Sequence, residues 1–438
     1  MSKFLIRTFG CQMNVYDSER ISVMLINSGW VETTDAAEAK LIIINSCSVR
    51  EKPLQKLFSC AGRYLPYKKN TGLRIFITGC VAQQLGKDIL EKAPYIDGIF
   101  GPGSEYMIPD IIQKGIFPFV SNETDFLERE EIFPASSRGN YFNRHTASVT
   151  VMHGCSNYCS YCIVPFVRGR EISRRSKELI DEINLLCDNG VVEITLLGQN
   201  VNSYKDPGTG IDFTDMLYEI AEKTPVQRIR FITSHPKDFD EKLAKSFSEI
   251  PQLMPYLHLP AQSGSDRILK KMNRNYTLSD YLKKLELSRK FCPDIALSSD
   301  FIVGFPGEKE ADFNLTMELV ERADYDVIFA FNYSPRPFTK SFKLKDDLST
   351  EEKLLRLNKL LDLQKKKIKE VRHRYLSRTV KVLVENRSPK SNSFMGRTEH
   401  NLITHITDST EKDIGKIIDV KITEILENTL RGEKNENC

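Results

Sequence analysis

Hydrophobic and polar positions along the chain fall into three successive rhythms. In the first, Lys3 to Phe9 reads as a strand that ends at Gly10-Cys11. Asp17-Ser18 can cap a helix whose apolar positions are Ile21, Met24 and Leu25, stopping at Gly29. Leu41-Ile42-Ile43-Ile44 is a short apolar run suited to a buried parallel strand, and it ends at Asn45-Ser46-Cys47. A helical stretch follows from about Lys52 to Tyr67. Leu73 to Thr78 reads as a third strand ending at Gly79-Cys80, with a helix from Val81 to Glu91. This alternation predicts an open parallel α/β domain over residues 1–117.

Residues 118–140 are polar with little periodicity and read as a linker. From 141 to 373 strand and helix patterns alternate again. The strands are Ala147 to Met152, Glu193 to Leu197, Arg228 to Ile232, Tyr256 to Leu259, Ile295 to Val303 and Val327 to Phe331. About six βα units predict a partial (β/α)6 barrel with its active site at the C-terminal ends of the strands. Glu351 to Tyr375 then reads as a long helix, with an apolar stripe of Leu354, Leu357, Leu361, Ile368 and Val371 broken only by Gln364. Lys365 to Lys367, Lys369, Arg372 and Arg374 make its other face basic, which is usually a solvated face. Beyond it, over 374–438, Val380 to Val384, Leu402 to Ile406 and Ile417 to Ile425 read as strands of a small β-barrel, with the last residues from Gly432 left disordered. A small barrel after a basic helix is a common way to hold RNA, although composition alone leaves that open.

Composition sharpens this α/β picture only in places. The 438 residues allow about three domains at ~150 residues each. A hydrophobic content of 40% and a charged content of 28% are those of an ordinary globular protein, and a net charge of +3 decides nothing. No run of 18 apolar residues exists, so no membrane span is expected, and the N-terminal apolar stretch is too short for a signal peptide. Ten cysteines without an export signal point to a reducing cytoplasm, where thiols serve metals or catalysis. A cytoplasmic monomer is expected.

The cysteines carry the chemistry. Cys155, Cys159 and Cys162 have the spacing C-x3-C-x2-C, one thiol more than a redox pair needs and one fewer than a cluster normally takes. Three thiolates can each bind one iron of a cubane and leave the fourth open to another ligand, which is the signature of radical S-adenosylmethionine enzymes. The alternative is a structural zinc loop, but no second C-x2-C pair accompanies it. Cys11, Cys47 and Cys80 lie 36 and 33 residues apart, each just after a predicted strand. In an open parallel sheet those ends share one edge, where ligands bind. They read as ligands of a second cluster or, alternatively, as small apolar residues filling strand ends. Cys60, Cys187 and Cys292 read as core thiols and Cys438 as a tail residue.

Polar, Gly-rich segments follow the barrel strands: Gly198 to Ser203, Ala261 to Asp266 and Gly304 to Glu308. Gln199, Asn200, Gln262, Ser263 and Gly304 are therefore candidate contacts to S-adenosylmethionine. Tyr161 can stack near an adenine or simply pack. Arg168, Arg170, Arg174 and Arg175 can hold phosphates or form ion pairs.

These stretches together resemble the methylthiotransferases of the radical S-adenosylmethionine superfamily. The resemblance rests on Gly10-Cys11-Gln12-Met13-Asn14, Asn45-Ser46-Cys47-Ser48-Val49-Arg50, Gly79-Cys80, the cysteine loop through Ile163-Val164-Pro165-Phe166-Val167-Arg168-Gly169, Thr233-Ser234-His235-Pro236, and His258-Leu259-Pro260-Ala261-Gln262. It is nearest to the branch acting on C2 of isopentenyladenosine beside the tRNA anticodon. Sister branches act on threonylcarbamoyladenosine in tRNA or on an aspartate of a ribosomal protein. The resemblance implies two [4Fe-4S] clusters, one on Cys155, Cys159 and Cys162 and one on Cys11, Cys47 and Cys80. It also implies two uses of S-adenosylmethionine, an anticodon stem-loop as partner, and an electron donor such as flavodoxin or ferredoxin. The terminal barrel would be a TRAM domain that engages tRNA; Gly396-Arg397-Thr398 fits its pattern, whereas Glu399-His400-Asn401-Leu402 lacks the expected basic residue. A rival of another class is a non-catalytic iron–sulfur RNA-binding regulator, which would need no cofactor pocket.

Overall fold

A computed structural model describes residues 1–48, 51–121, 145–388 and 393–435, the side chains of 51–55 and 69–71 apart. The first sheet comprises β1 (Lys3–Phe9), β2 (Val31–Glu32), β3 (Leu41–Ser46), β4 (Arg74–Thr78), β5 (Gly98–Phe100) and β6 (Phe119–Ser121), in the order β2-β1-β3-β4-β5-β6. All its pairings are parallel. All six residues of β3 are buried: Ile42 and Ile44 face one core cluster, and Leu41 and Ile43 the other. Both faces of the sheet are therefore covered, as parallel sheets require. β6 falls inside the stretch read as linker yet completes this sheet; residues 122–140 of that stretch lie outside the described residues.

The helix after β1 spans Gln12–Asn27 and is capped by Cys11. It starts well before the expected cap at Asp17-Ser18, both of which are buried within it. The pattern misled because Met13 and Tyr16, also buried, face the next domain and not their own sheet's apolar stripe.

The middle domain contains β7 (Thr146–Thr150), the short pair β8 (Met152–His153) and β9 (Ile172–Ser173), then β10 (Glu193–Leu197), β11 (Arg228–Phe231), β12 (Tyr256–His258), β13 (Ala296–Val303) and β14 (Val327–Asn332). Parallel trios β11-β10-β7 and β12-β13-β14 are linked by a parallel bridge from Ile229 to Leu253. This is the expected six-stranded partial barrel, and its largest core cluster lies between strands and helices.

The long helix runs Thr350–Arg372, but its buried positions are Lys353, Arg356, Leu360, Gln364, Val371 and Arg372. Leu354 and Leu361, placed on the expected stripe, are 45% and 42% exposed. The buried face is set about one residue away because buried partners fix it. Arg356 Nη1 pairs with Glu308 at 2.7 Å, and Gln364 Nε2 donates to the Tyr325 carbonyl at 3.3 Å. The C-terminal strands β15 (Thr379–Arg387), β16 (Phe394–Thr398), β17 (Ile403–Ile406), β18 (Ile417–Ile425) and β19 (Leu430–Lys434) close a barrel in the order β15-β16-β17-β19-β18. Gly432 to Lys434, expected to be disordered, form part of β19.

That barrel is fastened to the middle domain by two buried arginines. Arg228 donates to the carbonyls of Arg397 and Lys381 at 3.1 and 2.9 Å. Arg230 donates to those of Glu399 and Thr398 at 2.8 and 2.7 Å, and pairs with Glu193 at 2.9 Å. The segment lacking the expected basic residue is thus turned onto the protein; a lysine there would face Arg228 and Arg230.

Candidate active site

The β8–β9 pair clasps the base of the cysteine loop, with Met152 opposite Ser173 and His153 opposite Ile172. Gly154 opens the loop at φ +78°, and a Cβ there would lie 2.0 Å from the Arg170 carbonyl, so only glycine fits. Its N–H donates to Gln199 Oε1. The far side is anchored on the turn 271–274. Ser160 N–H donates to the Met272 carbonyl at 2.9 Å, Ser160 Oγ to that of Lys271 at 2.8 Å, and Asn273 Nδ2 to that of Tyr158 at 3.0 Å. Arg274 is buried, donates to the Pro260 carbonyl (2.7 Å) and the Tyr276 hydroxyl (2.9 Å), and presents Nη1 to Cys159 Sγ at 3.5 Å. Burial pushes the Cys155 thiol up to about 11 and that of Cys162 up to about 12, with the neighbouring sulfur of Cys159 adding to both. A metal cation reverses that preference by taking the thiolate directly.

The second triad is assembled by the sheet. The register pairs Phe9 with Ser46 and Asn45 with Thr78, so β1, β3 and β4 end level and the cysteines follow side by side. Gly10 is in close contact: a Cβ there would lie 2.5 Å from the Cys47 Cβ. Asn14 and Asn45 lock the edge, Asn14 Nδ2 donating to Asn45 Oδ1 at 2.8 Å and Asn45 Nδ2 to the Asn14 carbonyl at 2.9 Å. The Cys11 thiol is pulled down to about 6, first by its hydrogen bond with Cys47 and further by the charge of Arg168. Burial raises Cys80, although Arg168 opposes it. Among the described residues no three His, Cys, Asp or Glu side chains close on a single ion. One tetrahedral ion would draw its sulfurs to within about 4 Å of each other, whereas a cubane holds each thiolate on a different iron. None of the six is in a disulfide, so the donor set suits such clusters.

The triads meet at one boundary. Cys80 packs with Ile163, which directly follows Cys162, and with Val167. Met13 and Tyr16 pack on Leu197 and Ile232 at the ends of β10 and β11. Arg168 Nη2 pairs with Asp17 at 2.6 Å, with both side chains buried. Arg174 pairs with Glu182 at 2.6 Å, also buried. These two arginines therefore join elements rather than hold phosphate; Arg170 and Arg175 are exposed.

Around the barrel mouth several buried polar atoms have no partner among the described residues: Gln199 Nε2, Asn200 Oδ1, Ser234 Oγ, His235 Nε2 and Asn332 Oδ1. They sit just past β10 and β11 and at the end of β14. Burial first, and the charge of Arg274 next, keep His235 neutral, and its Nδ1 accepts from Lys237 N–H, so Nε2 carries a hydrogen with nowhere to go. Such unsatisfied groups are rare in folded proteins. Donors and acceptors converging here suit a ligand bearing amino, carboxylate and hydroxyl groups, as S-adenosylmethionine does. The other candidates have internal partners. Ser263 Oγ accepts from Ser265 N–H at 3.2 Å and lies 3.5 Å from Thr316 Oγ1. Gln262, at φ +68°, bridges to Phe301. Gly304 N–H donates to Glu308 at 3.0 Å, and its α-carbon lies against Lys353. Tyr161 packs with Ile268, Met272, Phe305 and Tyr333. The sequence reading did not single out Arg274, Ser234, His235 or Asn332 as site residues; the only signal was Thr233-Ser234-His235-Pro236, where Thr233 adopts φ +70°.

The chain matches three known families in succession: the uncharacterized protein family UPF0004 over residues 3–101, the Radical SAM superfamily over 149–320 and the TRAM domain over 373–434. It is 44% identical to the tRNA-2-methylthio-N(6)-dimethylallyladenosine synthase of Citrifermentans bemidjiense, covering 98% of each chain. It is 43% identical to the protein of that name from Bdellovibrio bacteriovorus, covering 98% of this chain and 94% of that one. Among solved structures it resembles the radical S-adenosylmethionine methyltransferase TsrM from Kitasatospora setae. The TM-score is 0.58 at 16% identity, over 78% of this chain and 77% of that one, a likeness of fold alone. Identity at this level over nearly the whole length places the chain in the tRNA-2-methylthio-N(6)-dimethylallyladenosine synthase family, within the radical S-adenosylmethionine superfamily.

Proposed function

We propose that the protein methylthiolates C2 of N6-isopentenyl(dimethylallyl)adenosine next to the anticodon of tRNA, using two molecules of S-adenosylmethionine. The observation that carries this reading is the meeting of two cysteine triads at one boundary, through Cys80 against Ile163. When bound, the two clusters supply the electron that cleaves S-adenosylmethionine and the sulfur that ends on C2. Cys155, Cys159 and Cys162 hold one cluster and Cys11, Cys47 and Cys80 the other. Arg274, with Nη1 3.5 Å from Cys159 Sγ, ties that position of the loop to the barrel. Gln199 fixes the loop through Gly154 while leaving its amide nitrogen for the cofactor. Asn200, Ser234, His235 and Asn332 complete the polar lining for it.

The aromatic C2–H bond is too weak an acid for a general base, so the chain supplies a radical site and none of its side chains takes that proton. The base must be splayed from its loop to reach the site. The small barrel supports RNA engagement, and Lys366 and Lys369 on the long helix remain exposed for phosphates, whereas Lys365 pairs with Glu427 at 2.6 Å. Flavodoxin or ferredoxin would deliver the electron, and the protein would work as a cytoplasmic monomer. No helix among the described residues is long and apolar enough to cross a membrane. Mass spectrometry of tRNA nucleosides from cells with and without the gene tests the assignment. Loss of 2-methylthio-N6-isopentenyladenosine with build-up of N6-isopentenyladenosine is expected. Unchanged nucleosides would move the assignment to the branch acting on a ribosomal protein.

A further inference from the structure

The segment between β14 and the long helix turns back over the cysteine loop. Tyr333 donates its hydroxyl to the carbonyl and Oγ of Ser341, both at 3.0 Å, and Ser341 N–H donates to the Ser160 carbonyl at 2.8 Å. Between these anchors the chain passes through Phe338 at φ +70°. A bulky residue in the left-handed region is strained, and such strain clusters at ligand clamps. It leaves the Phe338 ring 63% exposed, beside the 40% exposed ring of Phe166, with centroids 6.3 Å apart and planes inclined by 33°. Phe342 follows, 52% exposed. Lys340, Lys343 and Lys345 interleave with these rings; all three are exposed, and none forms an ion pair among the described residues. Of the adjacent acids, Asp346 is paired with Lys353, and Asp347 accepts from the Gly307 N–H at 2.7 Å with the charges of Lys271 and Lys345 nearby. Nothing in the fold requires two large rings in water here. Phe166 lies four residues past Cys162.

We propose that Phe338 and Phe166 form a two-ring platform on which unpaired bases beside the target adenosine stack, with Lys340, Lys343 and Lys345 on the phosphates of the same RNA loop. This rests on the RNA-substrate reading above and names where on the protein the loop is held open. Bases of any identity offer a face to an aromatic ring, and exposed lysines suit the backbone between them. An acidic redox protein would also meet these lysines, but it presents no bases, which separates the two experimentally.

The test uses the full-length, anaerobically reconstituted protein and a fluorescently labelled anticodon stem-loop, with affinity read by anisotropy over a series of salt concentrations. Phe338→Gly removes the ring and suits the backbone angle, so its melting temperature should equal or exceed that of the parent protein. Its affinity should fall about 5- to 150-fold, the range for losing one stacked base, with the salt slope unchanged. A stem-loop abasic at the neighbouring positions should bind the parent protein more weakly by a similar factor, with little further loss on Phe338→Gly. Replacing Lys340, Lys343 and Lys345 together by Ala should instead flatten the salt slope. Equal affinity of Phe338→Gly and parent for the intact stem-loop overturns the platform. So does intact RNA affinity in Phe338→Gly with lost reduction by flavodoxin, which would make the patch a protein dock. If the parent protein does not bind the stem-loop at all, the RNA-substrate reading falls with it.

Discussion

Cys155, Cys159 and Cys162 sit within one loop, whereas Cys11, Cys47 and Cys80 come together only because β1, β3 and β4 end level in one sheet. The contiguous triad is held by side chains from elsewhere: Gln199 beneath Gly154, the turn 271–274 beneath Ser160, and Arg274 beside Cys159. The dispersed triad is held mainly from within its own domain, through the close approach at Gly10 and the Asn14–Asn45 side-chain lock. Their electrostatics differ as well. In the loop, burial among sulfurs raises Cys155 and Cys162; at the sheet edge, a thiol neighbour and a guanidinium lower Cys11. A site written in a short motif thus borrows its support from distant sequence, and one written across a domain carries its support with it.

The strongest way to break this comparison is to remove one ligand from each triad. Cys159→Ala should abolish 5′-deoxyadenosine formation, with the iron content falling by about half, while Cys47→Ala should keep S-adenosylmethionine cleavage and lose methylthiolated product. Chromatographic assay of 5′-deoxyadenosine with iron analysis reads both. Cleavage surviving in Cys159→Ala, or product forming in Cys47→Ala, would show that the two triads do not divide the work in this way.

Legibility followed the same division. The loop spacing and the level strand ends could be read directly, because cysteine spacing and βαβ periodicity are local signals. Arg274 could not, since its value comes from a turn that meets the loop across 115 residues. The helix start at Cys11 was missed because Met13 and Tyr16 are apolar toward another domain. The long helix was misphased because Arg356 and Gln364 are polar yet buried, satisfied by Glu308 and by the Tyr325 carbonyl. β16 and β19 escaped notice because alternation is broken by Gly396 and Gly432, where neighbouring backbone approaches too closely for a Cβ. Two-sided burial and buried charge pairs are tertiary facts that no single-chain period encodes.

A smaller effect sharpens the boundary between the triads. Arg168 belongs to the segment after the cysteine loop, yet its charge acts on Cys11 and Cys80 and its ion pair is with Asp17. Arg168→Ala should destabilise the protein by about 3–5 kcal/mol, the usual result of stranding one charge of a buried pair. Urea unfolding of Arg168→Ala against the double variant with Asp17→Asn measures it. The double variant should recover much of the loss, since the stranded carboxylate is gone. A single-variant loss below about 1 kcal/mol would mean that the pair is solvated and does not join the domains.

The smallest expected effect lies behind the dispersed triad, at Glu105. This carboxyl is buried, accepting from Gly103 N–H at 2.6 Å and from the Thr78 hydroxyl at 3.3 Å. Desolvation first, and then the charge of Asp17, raise it from the usual 4.5 to about 7, with Arg20 and Arg168 opposing. The folded protein therefore holds a proton here that the unfolded chain gives up near pH 4.5. Between the two values the folded state binds more protons, so stability declines as pH rises, by up to roughly 2–3 kcal/mol by the time pH passes about 7. Glu105→Gln keeps a neutral acceptor for Gly103 and lets the Thr78 hydroxyl turn to accept from the amide. Its unfolding free energy should accordingly lose this component of the slope between about pH 5 and pH 8. Parallel pH profiles for the variant and the parent would mean that Glu105 is already ionised in the folded state, with Arg20 and Arg168 outweighing its burial.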